Sequence, residues 1–469
     1  MKTYNDLLLC ISEKERMDFI LSAIDEHRKS ELYLVAIDAV QYEKQKNVTI
    51  SKYRKLLYDI QGGVVPDNYS ANHKCASNFF SRFVTQEVSY LLGNGATFEK
   101  SSTKKKLGKD FDTKLYQAGK AALVQGVVFG FFNFDHLDVF ELIEFVPLYD
   151  EEDGALKAGI RFWQSDPSRP LRAVLYEMDG YTEYIRRKGK QMEIFTEKRT
   201  YRQKVVRSDA DGEKIYAGEN YPSFPIVPLW GNLNHQSELV GMRENIDCYD
   251  LIKSGFANDL DDASMIYWIL ENCGGMDDLD LAKFIERMRR VRAAVVDGGE
   301  GAKATAHTMD VPYESREVYL KLIRDDLYED AMALNVAQIS AGNITATQIE
   351  SAYEPLDQKC DEFEYCVLDF ISAILFIASL EPDVPTFKRS RIINRLEETQ
   401  MILSAAEYLD EESVLRKLPF LTPDEVSEIL KRKDAEDSAR FAEQGGGNDQ
   451  SADGSEDETE GPENGGEDL

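Results

Sequence analysis

Asn78-Phe79-Phe80-Ser81-Arg82-Phe83-Val84-Thr85-Gln86-Glu87-Val88-Ser89-Tyr90-Leu91-Leu92-Gly93-Asn94-Gly95 sets its large apolar residues at helical spacing, and Gly93-Asn94-Gly95 stops the run as a C-cap does. The aromatics Phe79, Phe80, Phe83 and Tyr90 have the chemistry to stack on bases. Their spacing on one helix favours core packing instead. A second helix is expected over roughly Phe111 to Gln125. It leads into Gly126-Val127-Val128-Phe129-Gly130-Phe131-Phe132, whose β-branched and aromatic residues predict a strand.

Upstream, residues 1 to about 60 read as helical. Ser12 is an N-cap with Glu15 at the capping-box position. Phe19, Ile20 and Ile24, then Tyr33, Leu34 and Ile37, form a broken apolar stripe. Downstream, from Val139 to Tyr221, short strands alternate with turns such as Met178-Asp179-Gly180 and Arg187-Lys188-Gly189. This pattern predicts an antiparallel sheet. The run Tyr221-Pro222-Ser223-Phe224-Pro225-Ile226-Val227-Pro228 reads as an extended connector.

Helix resumes from about Gln236 to Asp262. Met265 to Leu270 reads as a strand, Leu279 to Arg292 as a short helix and Ala293 to Val296 as a second strand, followed by a Gly-rich turn. Pro312 opens a long helix to about Val336. Gln338-Ile339-Ser340-Ala341-Gly342-Asn343-Ile344-Thr345 is a polar connector. A helix of roughly 35 residues, Ala346 to Leu380, suggests a spine, since helices average ~11–12 residues. Residues 387–442 are helical again, with Thr422-Pro423-Asp424-Glu425 as a helix start. The whole is an α+β chain without an internal repeat. From Gln444 to Leu469 nine acids and no base occur, the composition of a disordered acidic tail.

The 469 residues, 43% of them hydrophobic, are enough to bury a sizeable core and allow about three domains. With 85 acids against 55 bases the net charge is −30, and −21 without the nine acids of the tail. That argues against a protein whose main job is gripping nucleic acid across a broad basic face. It leaves room for one that lets nucleic acid pass without sticking. The six cysteines form no CxxC and read as free thiols in a reducing compartment. The five histidines are scattered, so no His-rich metal site is expected. Leu7 to Ile11 is too short for a signal h-region, and Val367 to Leu380, interrupted by Asp369, is too short to span a bilayer. The chain therefore reads as soluble and intracellular.

No GxxxxGK[ST], HExxH, GxSxG or GxGxxG occurs. Ser208-Asp209-Ala210-Asp211-Gly212 is similar to the front of a calcium loop. Counted from Asp209, however, the glycine falls at position 4 instead of 6, and position 12 is Asn220, so a polar hairpin turn is the better reading. Acidic pairs are unavoidable among 85 acids and read as a solvated face. The cluster Arg287, Arg289, Arg290 and Arg292 stands out from this acidic background. It is either an exposed helix face or a docking surface for an acidic partner or phosphate.

The order of these elements resembles the portal protein family of tailed bacteriophages, in the branch found in long-tailed phages of Gram-positive hosts. The resemblance rests on Asn78–Asn94, on Phe145-Val146-Pro147-Leu148-Tyr149-Asp150 and on Pro225-Ile226-Val227-Pro228-Leu229-Trp230-Gly231-Asn232. It continues in the helix carrying Ile246-Asp247-Cys248-Tyr249-Asp250 and Ser254-Gly255-Phe256-Ala257-Asn258-Asp259-Leu260. It runs from about residue 30 to 430. Gly342-Asn343-Ile344-Thr345-Ala346-Thr347 stands where many relatives carry a Ser-Gly pair.

The resemblance implies a portal fold with long helices, a β-rich wing, a helical stem, a small αβ clip and a helical crown. Residues 1–235 and 346–385 would be wing, 236–264 and 312–337 the stem helices, and 265–311 the clip. Residues 338–345 would be the tunnel loop at the axis, 386–442 the crown and 443–469 the acidic tail. It implies a ring, usually of twelve subunits, at one capsid vertex, made in the host cytoplasm and carried in the virion. Double-stranded DNA would pass through it. The terminase large subunit, a head–tail adaptor, and the major capsid and scaffolding proteins would bind it. It implies no cofactor, no membrane and no catalytic group, since ATP chemistry belongs to the motor. Asp325, Asp326, Glu329 and Asp330 of the second stem helix are candidates to line the channel or to sit between subunits, and Arg287, Arg289, Arg290 and Arg292 fall in the clip. Fixed acids along a lumen release no phosphate counterions, so they offer little energy to arrest DNA. Two other classes remain open from the residues alone: an Asp/Glu, magnesium-dependent nuclease, and an acidic scaffold that forms no ring.

Overall fold

The structure, a computed structural model, describes residues 2–58, 63–67, 70–208, 214–263, 267–271, 286, 303–307, 313–339, 346–391, 395–406, 408–418 and 426–433. The chain divides into a large unit, Met1–Ile344 with Glu350–Arg391, and a small one, Thr345–Ile349 with Ile392–Leu469.

The large unit opens with helices α1 (Tyr4–Leu8), α2 (Glu13–His27), α3 (Glu31–Glu43) and α4 (Val48–Lys52). The Ser12–Glu15 capping box forms as its spacing predicts, with each side chain bonded to the other residue's backbone N–H. A small hairpin of β1 (Leu56–Tyr58) and β2 (Val64–Pro66) follows, in a stretch whose first part reads as helical. Helix α5 (Phe79–Leu92) buries Phe79, Phe80, Phe83, Tyr90 and Leu91, so the aromatics are core and not a stacking platform. Gly93 itself stays right-handed. The left-handed residue is Gly95, φ +74°, where an added Cβ would lie 2.7 Å from Asp112 Oδ2. Strand β3 (Ala96–Thr97), helix α6 (Ser101–Leu107) and helix α7 (Phe111–Gln125) come next.

The β-rich stretch builds two sheets and a hairpin. Strands β4 (Val127–Asn133) and β5 (His136–Glu141) belong to one sheet, and β6 (Phe145–Tyr149), β7 (Leu156–Trp163), β8 (Leu171–Glu177), β9 (Gly180–Arg186) and β10 (Met192–Arg199) to a second, in order β10-β9-β8-β7-β6. The hairpin pairs β11 (Arg202–Ser208) with β12 (Lys214–Glu219). The end of the proline-rich run is a strand and not a connector. β13 (Ile226–Trp230) pairs with β4 in the order β13-β4-β5. Pro228 is tolerated because β13 is an edge.

In the five-stranded sheet, Val146, Ile160 and Leu175 lie opposite one another across three strands, and Phe162, Ala173 and Tyr184 make a second row. All are buried, and Phe19, Ile20, Ala23 and Ile24 of α2 complete that core. This is the period-2 pattern of a sheet with one face covered by a helix. Aromatic contacts join the two sheets: Phe129 to Phe145 at 4.4 Å and Phe140 to Tyr176 at 5.7 Å between ring centroids.

Two long helices follow, α8 (Arg243–Ala263) and, after the antiparallel pair β14 (Tyr267–Glu271) and β15 (Lys303–His307), α9 (Tyr313–Asp330). The expected strand at Met265–Leu270 is present, shifted by one or two residues. Its partner β15 lies where the sequence reading assigns no element, and the expected helix 279–292 and strand 293–296 lie outside the described residues except Glu286. After the one-turn helix α10 (Val336–Ile339) comes α11 (Ala346–Ile377), 32 residues long with Pro355 inside it. Phe363, Val367, Phe370, Ile371 and Ile374 of α11 are buried. Gly119 of α7 and Gly130 of β4 make room for them. A Cβ at Gly130 would lie 2.4 Å from Phe370 Cζ, and one at Gly119 would lie 3.1 Å from Phe363 Cζ. Strand β16 (Thr386–Phe387) pairs with β3.

The small unit contains helices α12 (Arg395–Ser404) and α13 (Glu411–Lys417) and a helical stretch 426–433; the expected helical 387–442 holds for these, while Phe387 is in strand β16 and 388–391 are not helical. The helix start at Thr422-Pro423 and the acidic tail lie outside the described residues, as does the turn at 209–213. Among the described residues no helix is long and apolar enough to cross a membrane, and five cysteines are free thiols.

Candidate functional site

Helix α8 is seated by polar side chains. Arg243, Asp247, Asp250, Ser254, Asn258 and Asp261 recur three or four residues apart, so they share one face. Asp250 is fully buried. Its Oδ1 accepts the Ser77 N–H at 2.8 Å and its Oδ2 accepts Asn47 Nδ2 at 2.5 Å. Burial pushes its carboxyl above the ordinary carboxylate range despite these bonds. Asp247 accepts the Tyr42 hydroxyl at 2.5 Å and the Thr49 hydroxyl at 2.6 Å. Arg243 donates to Asp38 at 2.8 Å.

Residues 73–77 run beside this face without regular secondary structure. The N–H groups of His73, Cys75 and Ser77 donate to Asn258, Ser254 and Asp250 in turn. The match is metric. Two residues of extended chain advance ~6.7 Å and four residues of helix ~6 Å, so alternate amides meet every fourth helical side chain. His73 Nε2 adds a contact to Asp261 at 2.5 Å.

Helices α8 and α9 are antiparallel. Asn245 donates to Asp330 at 2.7 Å near one end, and Arg316 pairs with Asp259 near the other. Ile323, Leu327 and Tyr328 bury the inner face of α9, and Arg82 of α5 donates to the Tyr328 hydroxyl at 2.8 Å. The outer face is mixed. Val318, Leu322, Asp325 and Glu329 follow one another at helical spacing, with Val318 68% and Leu322 53% exposed. Tyr313 and Tyr319 of α9 and Leu260 of α8 are also exposed.

Of the four acids singled out in the sequence, Asp325 and Glu329 are exposed on that outer face, Asp326 is half-buried, and Asp330 is exposed but accepts from Asn245. Asp330 therefore contributes to the helix–helix contact. Gln338 and Ile339 of the expected connector lie in α10, so its first two residues are helical. Ser340, Ala341, Gly342, Asn343, Ile344 and Thr345 lie outside the described residues. So do Arg287, Arg289, Arg290 and Arg292. Among the described residues no cluster of His, Cys, Asp or Glu is arranged to hold a metal ion.

Helix α9 ends earlier than the sequence suggests. Ala333 N–H reaches Tyr328 O and Met332 N–H reaches Glu329 O, a Schellman turn with Met332 at φ +50°. Asp250 stands in a stretch that carries the family resemblance, but its seating role, with Asn47 and residues 73–77 as partners, is not legible in the sequence. Only the four-residue recurrence of polar side chains along α8 announces it there, and a solvated face has the same pattern.

The family model described as "Phage portal protein, SPP1 Gp6-like" matches residues 33–439. The portal protein of Bacillus phage SPP1 is 23% identical over 440 residues, covering 86% of this chain and 83% of that protein. The portal protein of Clostridium phage phiCD119 is 27% identical over 226 residues, covering 47% of this chain and half of that protein. The family match runs through the sheets, the antiparallel helices α8 and α9 with the strands β14 and β15 between them, and the long helix α11. The chain accordingly belongs to this family of phage portal proteins, which are structural proteins and not enzymes.

Proposed function

We propose that this chain assembles into a closed ring, twelve-membered as is usual for portals, at one vertex of a phage capsid, and that the ring conducts double-stranded DNA during packaging and ejection. In this reading α8 and α9 are stem helices, β14–β15 belongs to the clip, 338–345 is the tunnel loop, 346–385 is wing together with residues 1–235, and 386–442 is crown. The terminase large subunit and later a head–tail adaptor dock on the clip, with Arg287, Arg289, Arg290 and Arg292 as the contacts. The major capsid and scaffolding proteins surround the ring in the capsid shell, which is built in the host cytoplasm.

The observation that carries the reading is the outer face of α9. Val318 and Leu322 stay exposed in the isolated chain on a helix already packed against α8, and a second copy is the occupant that would cover them. Asp325 and Glu329 continue the same face, which favours a place between subunits for these two. Asp326 and Asp330 remain the candidates for the channel wall. A net charge of −30 suits a channel that must not bind its cargo.

Negative-stain electron microscopy with native mass measurement of the full-length chain tests this. Rings with a central hole and about twelve copies are expected, and Val318→Glu with Leu322→Glu should abolish them. A wild-type protein that stays monomeric at high concentration and in capsid-assembly mixtures would overturn the ring, and magnesium-dependent cleavage of DNA would favour a nuclease. Arg289→Glu with Arg290→Glu should weaken motor or adaptor docking while leaving rings intact.

A further inference from the structure

The exit from α9 is held from outside that helix. Lys359 of α11 is largely buried, and its Nζ lies 2.9 Å from Glu87 Oε2, 2.7 Å from Glu238 Oε2 and 3.2 Å from the carbonyl oxygen of Ala331, the last residue before the Met332 turn. Three residues further on, Gln86 grips both backbone groups of Leu334, donating to its carbonyl at 3.1 Å and accepting its N–H at 3.1 Å. Glu238 is itself oriented by Asn232 Nδ2 at 2.8 Å. A cavity of about 200 Å³ lies beside the junction, lined among others by Glu87, Glu238, Asp330, Met332, Lys359 and Glu362.

An ammonium buried among carboxylates is a poor way to gain stability, because apolar side chains of similar volume do as well or better. Its distinguishing property is geometric: the charge is satisfied in one arrangement only. Here that arrangement includes a backbone carbonyl at the end of α9, and the neighbour of Glu87 on α5 secures the next backbone groups. We propose that Gln86, Glu87 and Lys359 are positioning residues that fix the point where the chain leaves α9, so that the start of segment 338–345 moves with α5 and α11. The consequence for DNA rests on the reading of that segment as the tunnel loop.

The test compares full-length wild type with Gln86→Leu and Lys359→Met, plus Lys359→Met combined with Glu87→Leu in case the single Lys359 variant leaves an unpaired buried charge and fails to fold. The first readout is amide hydrogen exchange. In Gln86→Leu, exchange of residues 331–339 should rise at least tenfold while that of 350–377 is unchanged. Unchanged exchange at 331–339 overturns the clamp. The second readout is ring formation and DNA content of particles assembled with each variant. Rings should form and DNA filling should fall several-fold, with Lys359→Arg restoring part of it. Loosened exchange with normal rings and normal filling overturns the positioning role. Absence of rings in the wild type would count against the portal reading itself, while the exchange readout still decides the clamp.

Discussion

Two long helices of this chain are seated on the body in opposite ways. Helix α11 is seated by apolar shape: Phe363 and Phe370, seven residues apart, meet Gly119 and Gly130, where no Cβ stands in the way. Helix α8 is seated by hydrogen bonds from residues 38–77 to six polar side chains on one face. An apolar seat is lost only by opening a void or exposing surface to water. A polar seat exchanges protein partners for water, at a net cost of ~0.5–1.5 kcal/mol per hydrogen bond. The difference teaches how each seat fails: α11 loses packing when its shape match is spoiled, and α8, whose Asp250, Ser254 and Asn258 are buried, loses stability when one partner of a buried hydrogen bond is removed.

The largest effect should come from breaking the apolar seat. Phe370→Ala should destabilise the large unit by ~3–5 kcal/mol, measured by urea unfolding. Gly130→Val, which drives a side chain into Phe370, should cost ~1–3 kcal/mol or more. If both are neutral, α11 is not seated as described. Asp250→Ala should come next. It leaves the Ser77 N–H buried without its acceptor and Asn47 Nδ2 with only the Ser77 carbonyl, at ~1–3 kcal/mol. Its signature should be local, with faster amide exchange in 73–77 and 243–263 and no change in 350–377. Equal effects on both helices would erase the contrast.

Between the two seats lies Glu87, whose carboxyl burial raises to about 7 from an ordinary 4.5, with Lys359 opposing and Glu238 and Glu362 adding to the rise. A raised carboxyl contributes stability that is fully present below its unfolded value and is lost as pH rises through the folded one. Glu87→Gln lacks that loss. Relative to wild type it should gain roughly 1–3 kcal/mol between pH 5 and pH 8, and a pH-independent difference would refute the shift. The smallest effect belongs to Met332, left-handed at φ +50°. Met332→Gly should stabilise by no more than ~1 kcal/mol and Met332→Val should destabilise, both read as shifts of the thermal midpoint.

Where the sequence misleads, the reason is physical. Helices α9 and α11 end at Asp330 and Ile377, before the expected Val336 and Leu380. Both stop in Schellman turns whose left-handed residues are Met332 and Ser379, so the glycine that usually marks such a stop is missing. β13 hides in a proline-rich run because it is an edge strand, free to omit one ladder donor. The seat of α8 joins residues about 200 positions apart, and Asp250 in the sequence is one acid among 85.

The sequence by itself determined the α5, α7 and β4 succession, the Ser12 cap, the antiparallel β-rich stretch, the long helix from Ala346 and the resemblance to portal proteins. Each of these is written in local periodicity, turn chemistry or the order of elements. Only the tertiary structure decided that Gly130 exists for Phe370, that α8 is zipped to residues 73–77, and that Lys359 holds the end of α9. These depend on which distant side chains meet once the chain is packed, and no local pattern encodes a partner two hundred residues away.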